Sequence, residues 1–195
     1  MPSLTAGPSA GPLRYKALVR KVFCIGFHKT GTTSMHRALD HLGYRVCGVR
    51  KDLEHSVASG DLGRLFEVVD RFDAFEDNPW PLVFRELDAA YPGSRFVLTR
   101  RDVRDWFASV VNHFGAVSRP MRELIYGPGA GAPLGHEAAY VARHLRHIEE
   151  VRAWFAGRDD LLELDLGAGD GWEKLCRFLE LPPPHGAFPH SNRRR

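Results

Sequence analysis

Two hydrophobic patterns alternate along the chain: short continuous apolar runs, and stretches in which apolar residues recur every three or four positions. Lys21-Val-Phe-Cys-Ile-Gly-Phe27 is a short apolar run, the pattern of a strand buried on both faces. Met35, Ala38, Leu39 and Leu42 follow at i, i+3, i+4 and i+7 and predict a helix that Gly43 ends. The same reading predicts a short strand at Tyr44–Cys47, a helix at Leu62–Val69, a strand at Phe72–Glu76 and a helix at Pro81–Ala90 with proline in its first turn. Ser94–Thr99 reads as a strand. After it Val103, Trp106, Phe107, Val110, Val111 and Phe114 fall on one helical face. Gly115 to Gly135 reads as irregular and glycine-rich. A long helix through Val141, Leu145, Ile148 and Phe155, a strand at Asp160–Leu166 and a helix at Trp172–Leu179 complete the pattern.

Strands alternating with helices predict an α/β domain, a parallel β-sheet of about five strands flanked by helices on both faces. Ligands of such sheets bind at the carboxyl ends of the strands. The loops after Phe27, Glu76 and Thr99 are therefore expected to converge on one crevice.

At 195 residues, with 44% hydrophobic and 26% charged side chains, the chain excludes fibrous and wholly disordered classes and fits one domain. The expected organisation is a loose, Pro/Gly/Ser-rich tail over 1–14, a single domain over 15–195, and either a lid or a plain surface loop at 115–135. A net charge of +3 is too mild for general nucleic-acid binding, so an anionic ligand needs a local site. Only five of the 27 basic residues are lysines, and Lys29 is one of them. Cys24, Cys47 and Cys176 show no metal-binding spacing. With no signal-length or membrane-length apolar run, they suggest a cytoplasmic, reducing location.

Gly26-Phe-His-Lys-Thr-Gly-Thr-Thr-Ser34 lies between a buried strand and a helix, where backbone N–H groups and the helix N-terminus can cradle a phosphate. Gly26 and Gly31 match the glycines of the nucleotide-triphosphatase pattern GxxxxGK[ST], but Thr32 stands where its lysine belongs. The alternative is a tight strand-to-helix turn. GxxKTGTTS resembles the 5′-phosphosulfate loop of the sulfotransferases that use 3′-phosphoadenosine-5′-phosphosulfate (PAPS). FVLTRRDVRDWFASVVNHF is similar to that family's 3′-phosphate segment, a strand followed by R-[DN]-x-x-x-x-x-x-S, with Arg101 and Ser109 in the matching places. The resemblance implies that His28, Lys29, Thr30, Gly31, Thr32, Thr33 and Ser34 hold the phosphosulfate end, and that Arg101 and Ser109 hold the 3′-phosphate. The ending WEKLCRFLELP…FPHSN is similar to that of bacterial members and puts Arg193 forward as a further nucleotide contact, with a solvated tail as the alternative. Cytosolic members carry a tryptophan after GTT. Ser34 replaces it here, which brings the chain nearer the bacterial and carbohydrate-type members.

Sulfuryl transfer to a hydroxyl needs a base for the acceptor proton and a cation where charge builds on the leaving phosphate. Lys29 suits the second role. The family places its base just after the strand before the 3′-phosphate strand, which here reads Phe75-Glu76-Asp77-Asn78-Pro79 and nominates Asp77, with Glu76 as its neighbour. The alternative for both carboxylates is capping of the helix near Pro81. The resemblance implies PAPS as co-substrate, PAP as product, no metal, and a small-molecule or carbohydrate hydroxyl acceptor. His144 and His147 share a helical face but lack a third ligand at metal spacing. His55 and His113 are acceptor-pocket candidates by position. A P-loop kinase is disfavoured by Thr32 and by the lack of a magnesium-binding acid; a non-catalytic nucleotide-binding protein is the third class.

Overall fold

A computed structural model describes residues 20–189. The tail over 1–14 and Arg193 lie outside these residues. Five parallel strands form one sheet: β1 (Val22–Cys24), β2 (Val46–Cys47), β3 (Ala74–Phe75), β4 (Arg95–Arg100) and β5 (Leu161–Asp165), in the order β2-β3-β1-β4-β5. Val22 pairs with Ala74 on one side and Arg95 on the other, and Phe96 with Leu161.

Eight α-helices connect and cover the strands: α1 (Thr32–His41), α2 (Glu54–Ser59), α3 (Gly63–Val69), α4 (Phe84–Ala90), α5 (Val103–Phe114), α6 (Pro120–Tyr126), α7 (Glu137–Trp154) and α8 (Trp172–Leu179). None is long and apolar enough to cross a membrane. Successive strand side chains point to opposite faces. Phe23 and Ile25 join Phe75, Phe96 and Leu98 under α3, α4 and α7, whereas Val22 and Cys24 join Ala74, Val97 and Leu164 under α1 and α8. Phe23 is fully buried, its ring 4.8 Å from Phe75 and 5.4 Å from Phe96. All three cysteines are free and buried.

The expected irregular stretch at 115–135 is corrected by α6. Pro120 opens this helix, and Met121, Ile125 and Tyr126 bury its inner face in a third apolar cluster with Phe27, Trp106, Val110 and Tyr140. Tyr126 stacks on Tyr140 with centroids 3.6 Å apart. The Arg122 guanidinium donates to the Gly131 carbonyl at 2.7 Å and to that of Val117, which fastens both flanks. A second correction concerns residues 48–60, where no element was expected. There a 3-10 turn (Lys51–Leu53) leads into α2, both too short to show a helical period. The proline at 81 lies in a separate 3-10 turn (Trp80–Leu82) ahead of α4.

Candidate active site

The carboxyl ends of β1, β2, β3 and β4 meet in a cleft of about 1090 Å³. His28, Lys29, Gly31, Thr32, Thr33, Ser34, Asp77, Arg101 and Ser109 all line it; Glu76 and Thr30 do not.

The loop between β1 and α1 is held by close packing. A side chain at Gly26 would put its Cβ 2.0 Å from Thr99 Oγ1, so only glycine lets the loop leave β1 against β4. Gly31 has φ +113, and a Cβ there would also press on Leu166 at 2.7 Å. The Thr30 hydroxyl donates to the Phe27 carbonyl at 2.6 Å and so receives the Thr99 hydroxyl, also at 2.6 Å. Its side chain therefore fastens the loop to the sheet and is turned from the cleft.

His28 is buried. Its Nδ1 faces Asn78 Nδ2 at 3.2 Å, its Nε2 faces the Tyr126 hydroxyl at 2.9 Å, and its carbonyl accepts from Trp106 Nε1 at 2.9 Å. Burial, aided by the nearby Arg122 cation, drives its pKa down to about 3, so the imidazole is neutral at physiological pH. An Asn78 N–H into Nδ1 leaves Nε2–H to donate to Tyr126. His28 thus ties the loop after β1 to the loop after β3 and to α6.

Lys29 has a left-handed backbone, φ 67. Its carbonyl accepts weakly from Arg101 at 3.4 Å, and its ammonium, half-buried in the cleft, has no ion-pair partner among the described residues. Burial lowers its pKa and the Arg101 charge acts the same way, against the attraction of Asp77. Arg101 stands between the end of β4 and α5, whose first turn is capped by Asp102 accepting from the backbone N–H groups of Arg104 and Asp105 at 3.0 and 3.1 Å. Ser109 lies two turns further on α5 and faces the same cleft.

Asp77 also adopts a left-handed backbone, φ 64, which turns its carboxylate back toward the loop between β1 and α1. Oδ1 accepts the Asn78 N–H at 2.8 Å and Oδ2 accepts the Thr32 hydroxyl at 3.0 Å. Burial raises its pKa, opposed by those hydrogen bonds and by Lys29. Neither Asp77 nor Glu76 caps the turn at Trp80 or α4, neither of which has a side-chain cap; the capping alternative is corrected.

Glu76 points the other way. It is 6% exposed, its Oε1 lies 3.1 Å from His36 Nδ1, and a Cβ at Gly48 would come within 2.8 Å of it. Burial first, then the charge of Asp77, raise its pKa from 4.5 to about 8, opposed by the nearby Thr32 hydroxyl. The folded state therefore holds a proton that the unfolded chain releases near 4.5, and stability falls as pH rises from about 4.5 to about 8. Glu76→Gln should abolish this slope. Measured by denaturant unfolding, the variant should gain on the wild type by on the order of 3–5 kcal/mol across that window, whereas a constant difference would show that Glu76 ionises normally.

His113 lines the cleft on α5, within the electrostatic reach of Lys29 and Asp77, and burial lowers its pKa; His55 does not line it. His144 stacks on Trp106 at 4.0 Å and the His147 Nε2 meets the Ile25 carbonyl at 2.6 Å, so both lie in the core. Among the described residues no group of three or more His, Cys, Asp or Glu is placed to hold a metal ion. Asn78, Arg122 and Tyr126 escaped the sequence reading. Of these, only Asn78 neighbours a motif.

A sulfotransferase domain model matches residues 21–195. The chain is also 25% identical over 213 residues to "Ava biosynthesis cluster protein M" of Aspergillus versicolor, covering 87% of this chain and 80% of that protein. The matched span takes in the loop between β1 and α1, Asp77 and the Arg101–Ser109 segment, and the chain belongs to the sulfotransferase family.

Proposed function

We propose that this protein transfers the sulfuryl group of PAPS to the hydroxyl of a small-molecule or carbohydrate acceptor, by in-line displacement. The observation that carries the reading is the Thr32–Asp77 hydrogen bond at 3.0 Å. It brings a carboxylate to the phosphate loop beside an unpaired lysine, the two charges this transfer needs on opposite sides of the reacting group. The lining supports the donor reading: a glycine-containing loop at the N-terminus of the ten-residue helix α1 would take the phosphosulfate, and Arg101 with Ser109 the 3′-phosphate. Lys29 meets charge developing on the leaving phosphate, Asp77 takes the acceptor proton, and the neutral His28 keeps both loops in register. PAPS supplies an already activated sulfuryl group, so the chain's work is positioning and charge. The fungal relative's name places that protein in a biosynthesis cluster, which supports a small-molecule acceptor.

Equilibrium binding of PAP tests the donor assignment. PAP should raise the melting temperature without magnesium, and Arg101→Ala should weaken it by about 1.5–3 kcal/mol, the scale of hydrogen bonds to a charged group. Adenosine 5′-phosphosulfate, which lacks the 3′-phosphate, should bind both forms alike. Equal losses for the two ligands would remove Arg101 from the 3′-phosphate site. A preference for ATP with magnesium would favour the kinase alternative.

A further inference from the structure

The sheet order divides the cleft. The phosphate loop after β1 lies in the middle, with β4 and Arg101 on one side and β3 and β2 on the other. On the function proposed above, on which this inference rests, the loop and the β4 side hold the donor, so the β3–β2 side receives the acceptor. Beyond Asp77 that side is lined by Val49 and Lys51 after β2, Glu54 at the start of α2 and Arg37 on α1.

Arg37 and Lys51 make no hydrogen bond or ion pair among the described residues. The carboxylate nearest Lys51 in sequence, Asp52, is held in a fork by Arg50 at 2.7 and 2.6 Å and also receives Arg64 at 3.3 Å. Beyond Asp77, Glu54 is the one carboxylate among the described residues that lines this end beside the two cations. Some arginines elsewhere are matched, as Arg158 is by Asp88 and Arg152 by Glu163. Two unmatched cations in a cleft focus a positive field on whatever enters, and the donor's anionic groups already have the loop, Lys29 and Arg101. Beside them Val49, 52% exposed, offers an apolar surface. A guanidinium and an ammonium next to an apolar contact recognise an organic acid.

We propose that Arg37 and Lys51 form an acid-recognition subsite, and that the acceptor is a hydroxy acid: an apolar body with a carboxylate in addition to the hydroxyl that is sulfated. The subsite sets specificity by holding the carboxylate at the β2 end while the hydroxyl reaches Asp77.

The test uses a panel of aromatic and aliphatic hydroxy acids, each paired with its methyl ester, together with the same acids lacking the hydroxyl as inert binding probes. With PAPS, free acids should exceed their esters at least tenfold in kcat/KM for the pairs that are turned over. In the double variant R37Q/K51Q this ratio should fall to near one, with PAP affinity within twofold of wild type. By calorimetry with PAP present, the inert acids should bind the wild type and lose at least tenfold in the variant. Equal use of acids and esters by the wild type, with no binding of the inert acids, overturns the proposal. So does a loss of PAP affinity in the variant, which would assign the two cations to the donor. If PAP does not bind but the inert acids do, and the variant loses them, the donor reading falls and the acid subsite stands.

Discussion

Replacing Lys29 with alanine is expected to lower turnover by about 10²–10³-fold, the scale of removing one preorganised charge from a transition state, while PAP binding falls much less. The reason lies in where the ammonium stands. It projects into the cleft from the loop between β1 and α1 without an ion-pair partner among the described residues, within electrostatic reach of Asp77 and Arg101, and partial burial has already removed some of its water. Such a cation gains most when negative charge appears beside it, and on the proposed function that charge develops on the leaving phosphate as the sulfuryl group departs. On the same proposal, the loop's backbone N–H groups and Arg101 would share the load in the ground state. Single-turnover assays and PAP calorimetry separate the two effects. Alanine must also adopt the left-handed backbone of Lys29, φ 67, so Lys29→Gly serves as a control that relieves this constraint while removing the same charge. Wild-type turnover in either variant would take Lys29 out of the mechanism.

The loop between β1 and α1 and the helix that follows Arg101 are legible in the sequence as elements, because each is a local motif beside a strongly periodic segment. The helix from Val103 to Phe114 and the final helix from Trp172 to Leu179 match the hydrophobic pattern at both ends. α2 and α6 were not legible. They have six and seven residues, less than two full turns, and α6 is held by contacts such as Tyr126 to His28 that span 98 residues. At the site, the family resemblance nominates Asp77, with Glu76 as its neighbour, but the residues alone do not say which of the two faces the cleft. Strand alternation puts neighbours on opposite sides, but the choice is made by the left-handed turn at Asp77, a conformation that a non-glycine residue does not advertise. Thr30 shows the same limit. It sits within the motif, yet its hydroxyl is committed to Phe27 and Thr99.

Asp77→Asn is expected to cost about 10²–10⁴-fold in transfer, the range for loss of a general base, with fold and PAP binding retained. The structure makes asparagine a clean probe. Its side-chain oxygen can keep the Asn78 N–H, its amide can donate to the Thr32 hydroxyl in place of accepting from it, and asparagine tolerates the left-handed backbone at φ 64. What it cannot do is take a proton. The loss should be smaller for an acidic phenol than for an aliphatic alcohol, because a phenol parts with its proton more readily. The pH profile gives a second reading. Burial lifts the Asp77 pKa above that of an ordinary carboxylate, so the wild-type rate should fall on the acid side at a correspondingly raised pH, and this limb should vanish in the variant. If Asp77→Asn turns over like the wild type with an unchanged acid limb, the carboxylate is no base. Its contribution would then be confined to fastening the phosphate loop through Thr32, a role that asparagine fills equally well.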